Sequence, residues 1–181
     1  MELYIMRHGE TNWNHIGIIQ GRSKNRLSKL GESQVKAQAE KFKDTPFDLI
    51  ISSPLVRTIQ TSKIMNQYHG VKILKDDRLI EIDQGVFAGR KKKTLTSTEK
   101  EIREKRLPEY GIESYESVVK RTKDFLIDLK SKYSDKTILV CTHRSIASSL
   151  FVLVKNMDAK ADEVRDFDMF GNAEVQHCHI D

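Results

Sequence analysis

Residues 3–9 read Leu3-Tyr4-Ile5-Met6-Arg7-His8-Gly9, a short apolar run that ends on two basic side chains and a glycine. Short apolar runs without polar alternation are typical of strands that are buried on both faces of a sheet. Two further runs have the same character, at residues 49–51 and 137–141. The three runs predict neighbouring strands of one sheet, and the polar end of each run marks where its strand stops.

Helical periodicity recurs between and after these runs, and a last strand is predicted near residues 173–179. The second predicted helix begins with Ser53 as its N-cap and Pro54 at its first helical position. Strands that alternate with helices predict an α/β fold with a mostly parallel sheet. The predicted helices cover residues 34–42, 54–68, 114–133 and 145–154.

Composition and charge narrow the classes of function. The 181 residues carry a formal net charge of +5, which favours anionic partners. The most basic run, residues 90–93, contains no aromatic side chains on which bases could stack, so nucleic acid is not an expected partner. No apolar stretch reaches the length of a membrane span, no signal-peptide pattern occurs, and the two cysteines lack zinc or disulfide spacing. We expect one domain over residues 1–181, in the cytoplasm and away from membranes; the sequence carries no signal for its oligomeric state.

Basic side chains stand at the ends of all three predicted strands. Arg7 and His8 end the first strand, Arg57 lies in the helix after the second, and His143 follows the third. Ligands of parallel α/β sheets bind beyond the carboxyl ends of the strands. We therefore expect these four side chains to converge at one edge of the sheet.

The expected cluster suits phosphoryl transfer. A neutral imidazole is a competent nucleophile, so attack by His8 on phosphorus would give a phosphohistidine. Arg7 and Arg57 can each grip two phosphate oxygens, and His143 supplies another donor. A phosphate ester is therefore the expected substrate class.

The leaving alkoxide needs a proton, which a carboxylic acid of raised pKa can donate. Glu81 is the predicted acid, because it follows an apolar pair and precedes Gly85 and Gly89, which permit tight loops. Glu10 is the weaker alternative. Other features, such as His177 and the remaining lone histidines, are interpreted as ordinary surface or core residues.

Five segments follow one another in a characteristic order, at residues 7–14, 53–61, 79–89, 111–114 and 142–143. The first begins Arg7-His8-Gly9-Glu10-Thr11, and the last is Thr142-His143. In sequence and in order, they resemble the motifs of the histidine phosphatase superfamily, also called the phosphoglycerate mutase-like family. The resemblance spans nearly the whole chain.

The resemblance implies a three-layer α/β/α sandwich and a phosphohistidine intermediate that forms without a metal or cofactor. It also implies that the partner is a small phosphorylated metabolite. The site residues that it implies are the catalytic His8, Glu81 and His143, the phosphate-binding Arg7, Arg57 and Asn14, and the substrate-edge Gln20 and Gly21.

Arg144 departs from the pattern of the family, which usually has glycine after the second histidine. Its side chain could narrow the pocket or contact the substrate, and it could impair activity if the position needs a positive φ. The resemblance implies that mutases carry a larger insertion after the acid/base glutamate, whereas only a short lid insertion, about residues 90–113, follows Glu81; hydrolysis is therefore the predicted reaction. Two alternatives stay open: phosphoglycerate mutase-type transfer, and a phospho-ligand-binding module with impaired catalysis.

Overall fold

A computed structural model describes residues 1–167 and 170–180. Within them, five strands form one sheet in the order β3-β2-β4-β1-β5. Strands β1 to β4 run parallel, and β5 pairs antiparallel with β1 at one edge. The prediction of a mostly parallel sheet is therefore confirmed. The strands are β1 (Glu2–Arg7), β2 (Leu49–Ser52), β3 (Lys72–Lys75), β4 (Thr137–Thr142) and β5 (Val175–His179).

Helices cover both faces of the sheet, so the predicted three-layer α/β/α sandwich is also confirmed. Side chains along each central strand point alternately to the two faces. In β1, Leu3 and Ile5 join a core with α5 and α6, whereas Met6 joins a second core with α2 and α3. The helices are α1 (Asn12–His15), α2 (Lys29–Lys41), α3 (Val56–Met65), α4 (Ser97–Lys105), α5 (Tyr115–Lys132), α6 (Arg144–Lys155) and α7 (Ala161–Asp166).

The start of α3 differs from the prediction. The helix begins at Val56 with Leu55 as its N-cap residue, so the assignments of Ser53 as N-cap and Pro54 as first helical residue were wrong. No side chain caps this helix end. The hydroxyl of Ser53 hydrogen-bonds instead to Nε2 of His143, at 2.8 Å. A local capping pattern was thus overridden by a contact between distant segments.

The lid segment, residues 90–113, consists of α4 between two single 3₁₀ turns, at Lys92–Thr94 and Pro108–Tyr110. It joins the rest of the chain through backbone hydrogen bonds, including Ile19 N–H to Arg90 O at 2.9 Å. A small apolar cluster lies beneath it, made of Ile19, Phe87, Leu95 and Ile112. Neither α4 nor the edge strand β3 was predicted. In the described part of the chain, no helix is both long and apolar enough to cross a bilayer.

Candidate active site

The carboxyl ends of β1, β2 and β4 meet at one edge of the sheet. Arg7 pairs in register with Thr142, and Ser52 with Cys141. The next residues continue this alignment, since His8 N–H donates to Thr142 O at 3.0 Å. The imidazole centroids of His8 and His143 are consequently 5.3 Å apart, in an edge-to-face arrangement. The structure thus brings both histidines to the expected place.

His8 is held in one tautomer by its two neighbours. Its Nδ1 lies 2.7 Å from the carbonyl oxygen of Gly9, which can only accept, so Nδ1 carries the proton. Its Nε2 accepts from Nε–H of Arg57 at 3.2 Å and therefore presents a lone pair. Burial, and then the charges of Arg57 and Arg7, hold the pKa of His8 well below its usual value. The ring is neutral at pH 7.

Arg57 connects His8 to the loop that follows α1. It is 1% exposed and lies in the first turn of α3. Its Nη2 donates to Gly21 O at 2.8 Å and its Nη1 to Ser23 O at 2.9 Å. Burial lowers the pKa of Arg57 to about 10, so the side chain keeps its charge at pH 7. Because a guanidinium has five N–H bonds and three are used here, two remain for a ligand.

Arg7 and His143 complete the floor of the site. Nη1 of Arg7 donates to Phe170 O at 2.8 Å. His143 is fully buried, and its Nδ1 has no hydrogen-bond partner among the described residues. Burial, and then the charge of Arg57, hold the pKa of His143 well below its usual value. Both histidines are therefore neutral, and the permanent positive charge comes from the arginines.

Glu81 is half-buried and lines the cavity, on a loop after a 3₁₀ turn, Asp77–Leu79. Burial raises the pKa of its carboxyl, although a hydrogen bond from Ile82 N–H and the nearby charge of Arg57 oppose the rise. The loop is anchored from below, because Thr142 Oγ1 donates to Leu79 O at 2.8 Å. The weaker alternative, Glu10, accepts from Ser28 at 2.9 Å and does not line the cavity.

An ion-pair network holds the Glu81 loop from outside. The Glu113 side chain is 9% exposed and receives hydrogen bonds from Arg121 Nε at 2.8 Å and from Arg22 Nη2 at 3.1 Å. Arg22 also donates to Glu81 O at 3.2 Å, and Arg121 donates to Arg78 O. The pKa of Glu113 is lowered because Arg121 and Arg22 outweigh the effect of its burial. The network ties α5 to the backbone on both sides of the predicted acid.

The four remaining predicted residues all line the cavity. Asn14 is fixed by a reciprocal capping box with Thr11, which uses its side-chain oxygen. Gly21 has φ +49°, a conformation that favours glycine, and its carbonyl faces Arg57. Gln20 accepts from Asn25 at 3.4 Å.

Arg144 is the first residue of α6 and is not among the described residues with positive φ. Arginine fits this helical backbone as well as glycine does, since only the left-handed region favours glycine. The expectation that Arg144 could be strained is therefore wrong. What distinguishes the position is its side chain, which lines the cavity.

All the predicted site residues except His143, which lies buried beside His8, line a cavity of about 450 Å³. The described part of its wall carries seven arginine or lysine side chains against one carboxylate, that of Glu81. In the same part of the chain, no group of three or more His, Cys, Asp or Glu side chains is placed to hold a metal ion. The cationic residues are Arg7, Arg57, Lys92, Arg103, Arg106, Arg144 and Arg165.

Comparison with known proteins agrees with this geometry. The family model described as the histidine phosphatase superfamily (branch 1) matches residues 3–181. The chain belongs to the histidine phosphatase superfamily.

Three proteins illustrate which histidine phosphatases it is similar to. "Phosphoserine phosphatase 1" of Hydrogenobacter thermophilus is 30% identical over 164 residues, which cover 87% of this chain and 78% of that protein. "Probable phosphoglycerate mutase GpmB" of Proteus mirabilis is 40% identical over 99 residues, but these span only 55% of this chain and 46% of the mutase. The structure of a mycobacterial glucosyl-3-phosphoglycerate phosphatase complexed with VO3 has a TM-score of 0.83 and 25% identity, and covers 97% of this chain and 91% of its own.

Some residues of this histidine phosphatase site were not found from the sequence. The lid side chains Arg103 and Arg106, together with Ser148 of α6, line the cavity. The strand-end rule could not find them, because none of them lies at the end of a strand. Arg22 and Arg121 were also missed, although Glu113 belongs to one of the quoted motifs. The available signal was the spacing of Glu113 and Arg121, eight residues apart at the start of α5, which is compatible with an ion pair.

Proposed function

We propose that this histidine phosphatase hydrolyses small phosphomonoesters through a phosphohistidine on Nε2 of His8. The observation that carries the proposal is the tautomer of His8. Nδ1–H of His8 donates to Gly9 O, and the lone pair of Nε2 accepts from Arg57 at the cavity. A buried imidazole with a depressed pKa, in a cavity rich in arginine, is suited to attack an anionic phosphorus centre.

In the first step, the hydrogen bond from Arg57 Nε–H to His8 Nε2 breaks, the freed Nε2 lone pair forms a bond to phosphorus, and the ester P–O bond breaks. Negative charge on the non-bridging oxygens is stabilised by Arg7, Arg57 and the amide nitrogen of Asn14. His143 supports His8 from its edge. Glu81 gives its proton to the departing alkoxide, for which its raised pKa is suited.

In the second step, Glu81 acts as the base. Its carboxylate takes a proton from water, the water oxygen attacks phosphorus, and the P–N bond to His8 breaks. Inorganic phosphate leaves, and both His8 and the protonated Glu81 are regenerated. Atoms and charges balance without a cofactor.

The proposal also covers metal independence, the class of substrate, the domain organisation and the cellular location. Arginine side chains supply the positive charge that a metal would provide in other phosphatases, so we propose metal-independent catalysis. The partner is a small phosphorylated metabolite, bound at Gln20, Gly21 and Arg144 beyond the reacting phosphate. The chain is one domain, residues 1–181, with a lid insertion at about 90–113, and acts in the cytoplasm.

Phosphate release from p-nitrophenyl phosphate tests the proposal, with EDTA present throughout. We expect turnover and a covalent phosphoenzyme that is stable to base and labile to acid, as a phosphoramidate is. Loss of turnover in EDTA that returns with added metal would contradict metal independence. Binding of phosphorylated ligands without any hydrolysis would favour the phospho-ligand-binding module.

A phosphoglycerate mutase is the second candidate, favoured by the 40% identity to the GpmB protein over about half of its length. A mutase must protect the phosphoenzyme from water, whereas this lid segment is short and its α4 has no buried residues. The rates of isomerisation and of hydrolysis of phosphoglycerate, measured in parallel, distinguish a mutase from a phosphatase. Isomerisation that is faster than phosphate release would overturn hydrolysis as the main reaction.

A further inference from the structure

Ser53 lies behind the floor of the site, and the reaction above does not use it. The residue is 0% exposed and does not line the cavity, so its hydroxyl does not touch a substrate there. That hydroxyl lies 2.8 Å from Nε2 of His143, while the first turn of α3 is left without a side-chain cap. A serine that bonds to a histidine of the site instead of the adjacent helix end points to a role in holding that histidine.

The backbone around Ser53 fixes the position of its hydroxyl. Its N–H donates to Cys141 O at 3.0 Å, which ties it to β4. Its carbonyl oxygen accepts from the hydroxyls of Ser52 and Thr58, both at 2.9 Å. Leu55 N–H donates to its Oγ at 3.4 Å. The hydroxyl oxygen is therefore held in place, and one of its lone pairs is already used.

A count of donors and acceptors gives the direction of the hydrogen bond between Ser53 and His143. If the hydroxyl donates to Nε2, the one proton of the neutral ring is on Nδ1, and only Nδ1–H is left unpaired among the described residues. If Nε2–H donated instead, both the hydroxyl proton and the lone pair of Nδ1 would be unpaired. Buried polar groups nearly always have partners, so the first arrangement is favoured.

His8 and His143 then share one tautomer but offer opposite groups. In His8 an acceptor, the carbonyl oxygen of Gly9, binds Nδ1–H, so Nε2 presents the lone pair. In His143 a donor, the hydroxyl of Ser53, occupies the lone pair of Nε2, so the unpaired group is Nδ1–H. The two rings lie edge to face with their centroids 5.3 Å apart. One ring is thus suited to attack phosphorus, and its neighbour is suited to donate to an oxygen.

We propose that Ser53 is a positioning residue, whose hydroxyl donates to Nε2 of His143 and so keeps the ring proton on Nδ1, the donor to an oxygen of the phosphoryl group at His8. The inference rests on the proposed function, because it assumes that His8 takes the phosphoryl group. A donor held in place beside the non-bridging oxygens stabilises the transition state of phosphoryl transfer. Ser53 therefore acts on kcat through His143, without contact to the substrate.

Nitrogen NMR of protein with isotopically labelled histidine measures the tautomer directly, because protonated and unprotonated ring nitrogens have well-separated chemical shifts. We expect the ring of His143 to carry its proton on Nδ1, and to shift towards the Nε2–H form in Ser53→Ala. The spectrum of His143→Asn, which lacks this ring, assigns the signals. A proton on Nε2 in the parent, or a tautomer that does not change in Ser53→Ala, would overturn the inference.

Hydrolysis of p-nitrophenyl phosphate measures the consequence for the reaction. Ser53→Ala should lower kcat by about thirtyfold and change KM by less than about threefold, since the lost donor acts in the transition state. Ser62→Ala is the matched control, because Ser62 is also 0% exposed and its hydroxyl bonds to neither histidine. It should leave kcat within about twofold, and a loss equal to that of Ser53→Ala would assign the effect to packing.

The His143→Asn background separates a tautomer effect from a structural one. An asparagine amide can donate from about the place of Nδ1, and it has no tautomers. Ser53→Ala should therefore cost at most about threefold in kcat in this background, against about thirtyfold in the parent. Equal losses in both backgrounds would mean that Ser53 only supports the fold.

The two proposals fail in different ways. If hydrolysis proceeds through His8 but the tautomer of His143 does not depend on Ser53, the positioning role is wrong and the phosphatase stands. If no phosphate ester is hydrolysed, the proposed function fails, but the tautomer measurement needs no turnover and still tests Ser53. Adding orthovanadate, which resembles the phosphoryl group, should then move the Nδ1 signal of His143 in the parent and much less in Ser53→Ala. Equal responses of the two proteins would count against the role of Ser53.

Discussion

The floor of the active site and the lid segment differ in how their side chains are held. On the floor, His8, Arg57 and His143 are buried, and their positions follow from parallel strands in fixed register. The lid segment has no buried residue in α4, and its backbone is joined to the rest of the chain over a small apolar cluster. The buried floor provides the fixed geometry that the reaction needs. In the lid segment, by contrast, charged side chains can be substituted with little loss of folding stability. This difference is the physical reason for assigning the reaction to the floor.

The largest effect should come from His8, on which the floor's chemistry depends. His8→Ala removes the nucleophile, so phosphate release should fall by about ten-thousandfold and no phosphoenzyme should form. His15→Ala is the control, because His15 is an exposed histidine outside the cavity. Residual turnover in His8→Ala within about tenfold of the parent would assign the nucleophile elsewhere.

Glu81 lines the cavity on the loop that precedes the lid segment. Glu81→Gln removes the acid and should slow hydrolysis of alkyl phosphates by about a thousandfold, but of p-nitrophenyl phosphate by much less, since nitrophenolate leaves without a proton. Comparison of kcat across leaving groups measures this. Equal losses for all leaving groups would contradict an acid role.

The pH profile gives a second measure of Glu81. Its folded pKa is raised above 4.5, so kcat/KM for alkyl phosphates should fall as pH rises through that raised pKa. The pKa of His8 is depressed, so protonation of the nucleophile should limit activity only at the acid end. Glu81→Gln should lose the alkaline decline, and a decline that persists would assign it to another group.

Substitution of Arg57 separates the contribution of its hydrogen-bond geometry to kcat from that of its charge. Arg57→Lys keeps the charge but loses the fork that joins His8, Gly21 and Ser23, so kcat should fall by about a hundredfold. Lys63→Gln, an exposed change on the same helix, is the control. A lysine variant with parent-like kcat would mean that position 57 supplies charge only.

The smallest effect is expected in the lid, at the ion pair between Arg90 and Glu99. Arg90 and the Thr96 amide hold the pKa of Glu99 at about 2, below its usual 4.5. The pairing is therefore fully present above about pH 4.5 and is lost as the pH falls towards 2. Glu99→Gln should speed hydrogen exchange in residues 90–105 a fewfold at neutral pH and leave kcat within about twofold. A large loss of kcat would mean that the lid also positions the floor.

Prediction from the sequence succeeded where basic side chains follow a buried strand. The three central strands, the two histidines and Arg57 were found this way, since parallel strands bring their ends together. It failed at the start of α3, where the contact of Ser53 with His143 outweighed a local capping signal. It also missed β3, which is only four residues long at an edge of the sheet.

The sequence by itself determined the α/β architecture, the family motifs and the candidates for the reacting side chains, because apolar periodicity and strand-end residues are local properties of the chain. Only the tertiary structure decided how those side chains are tuned. The tautomer of His8, the raised pKa of Glu81 and the meeting of Arg103 with Ser148 in one cavity all depend on contacts between distant segments. Burial and long-range hydrogen bonds set these properties, and neither can be read from spacing along the chain.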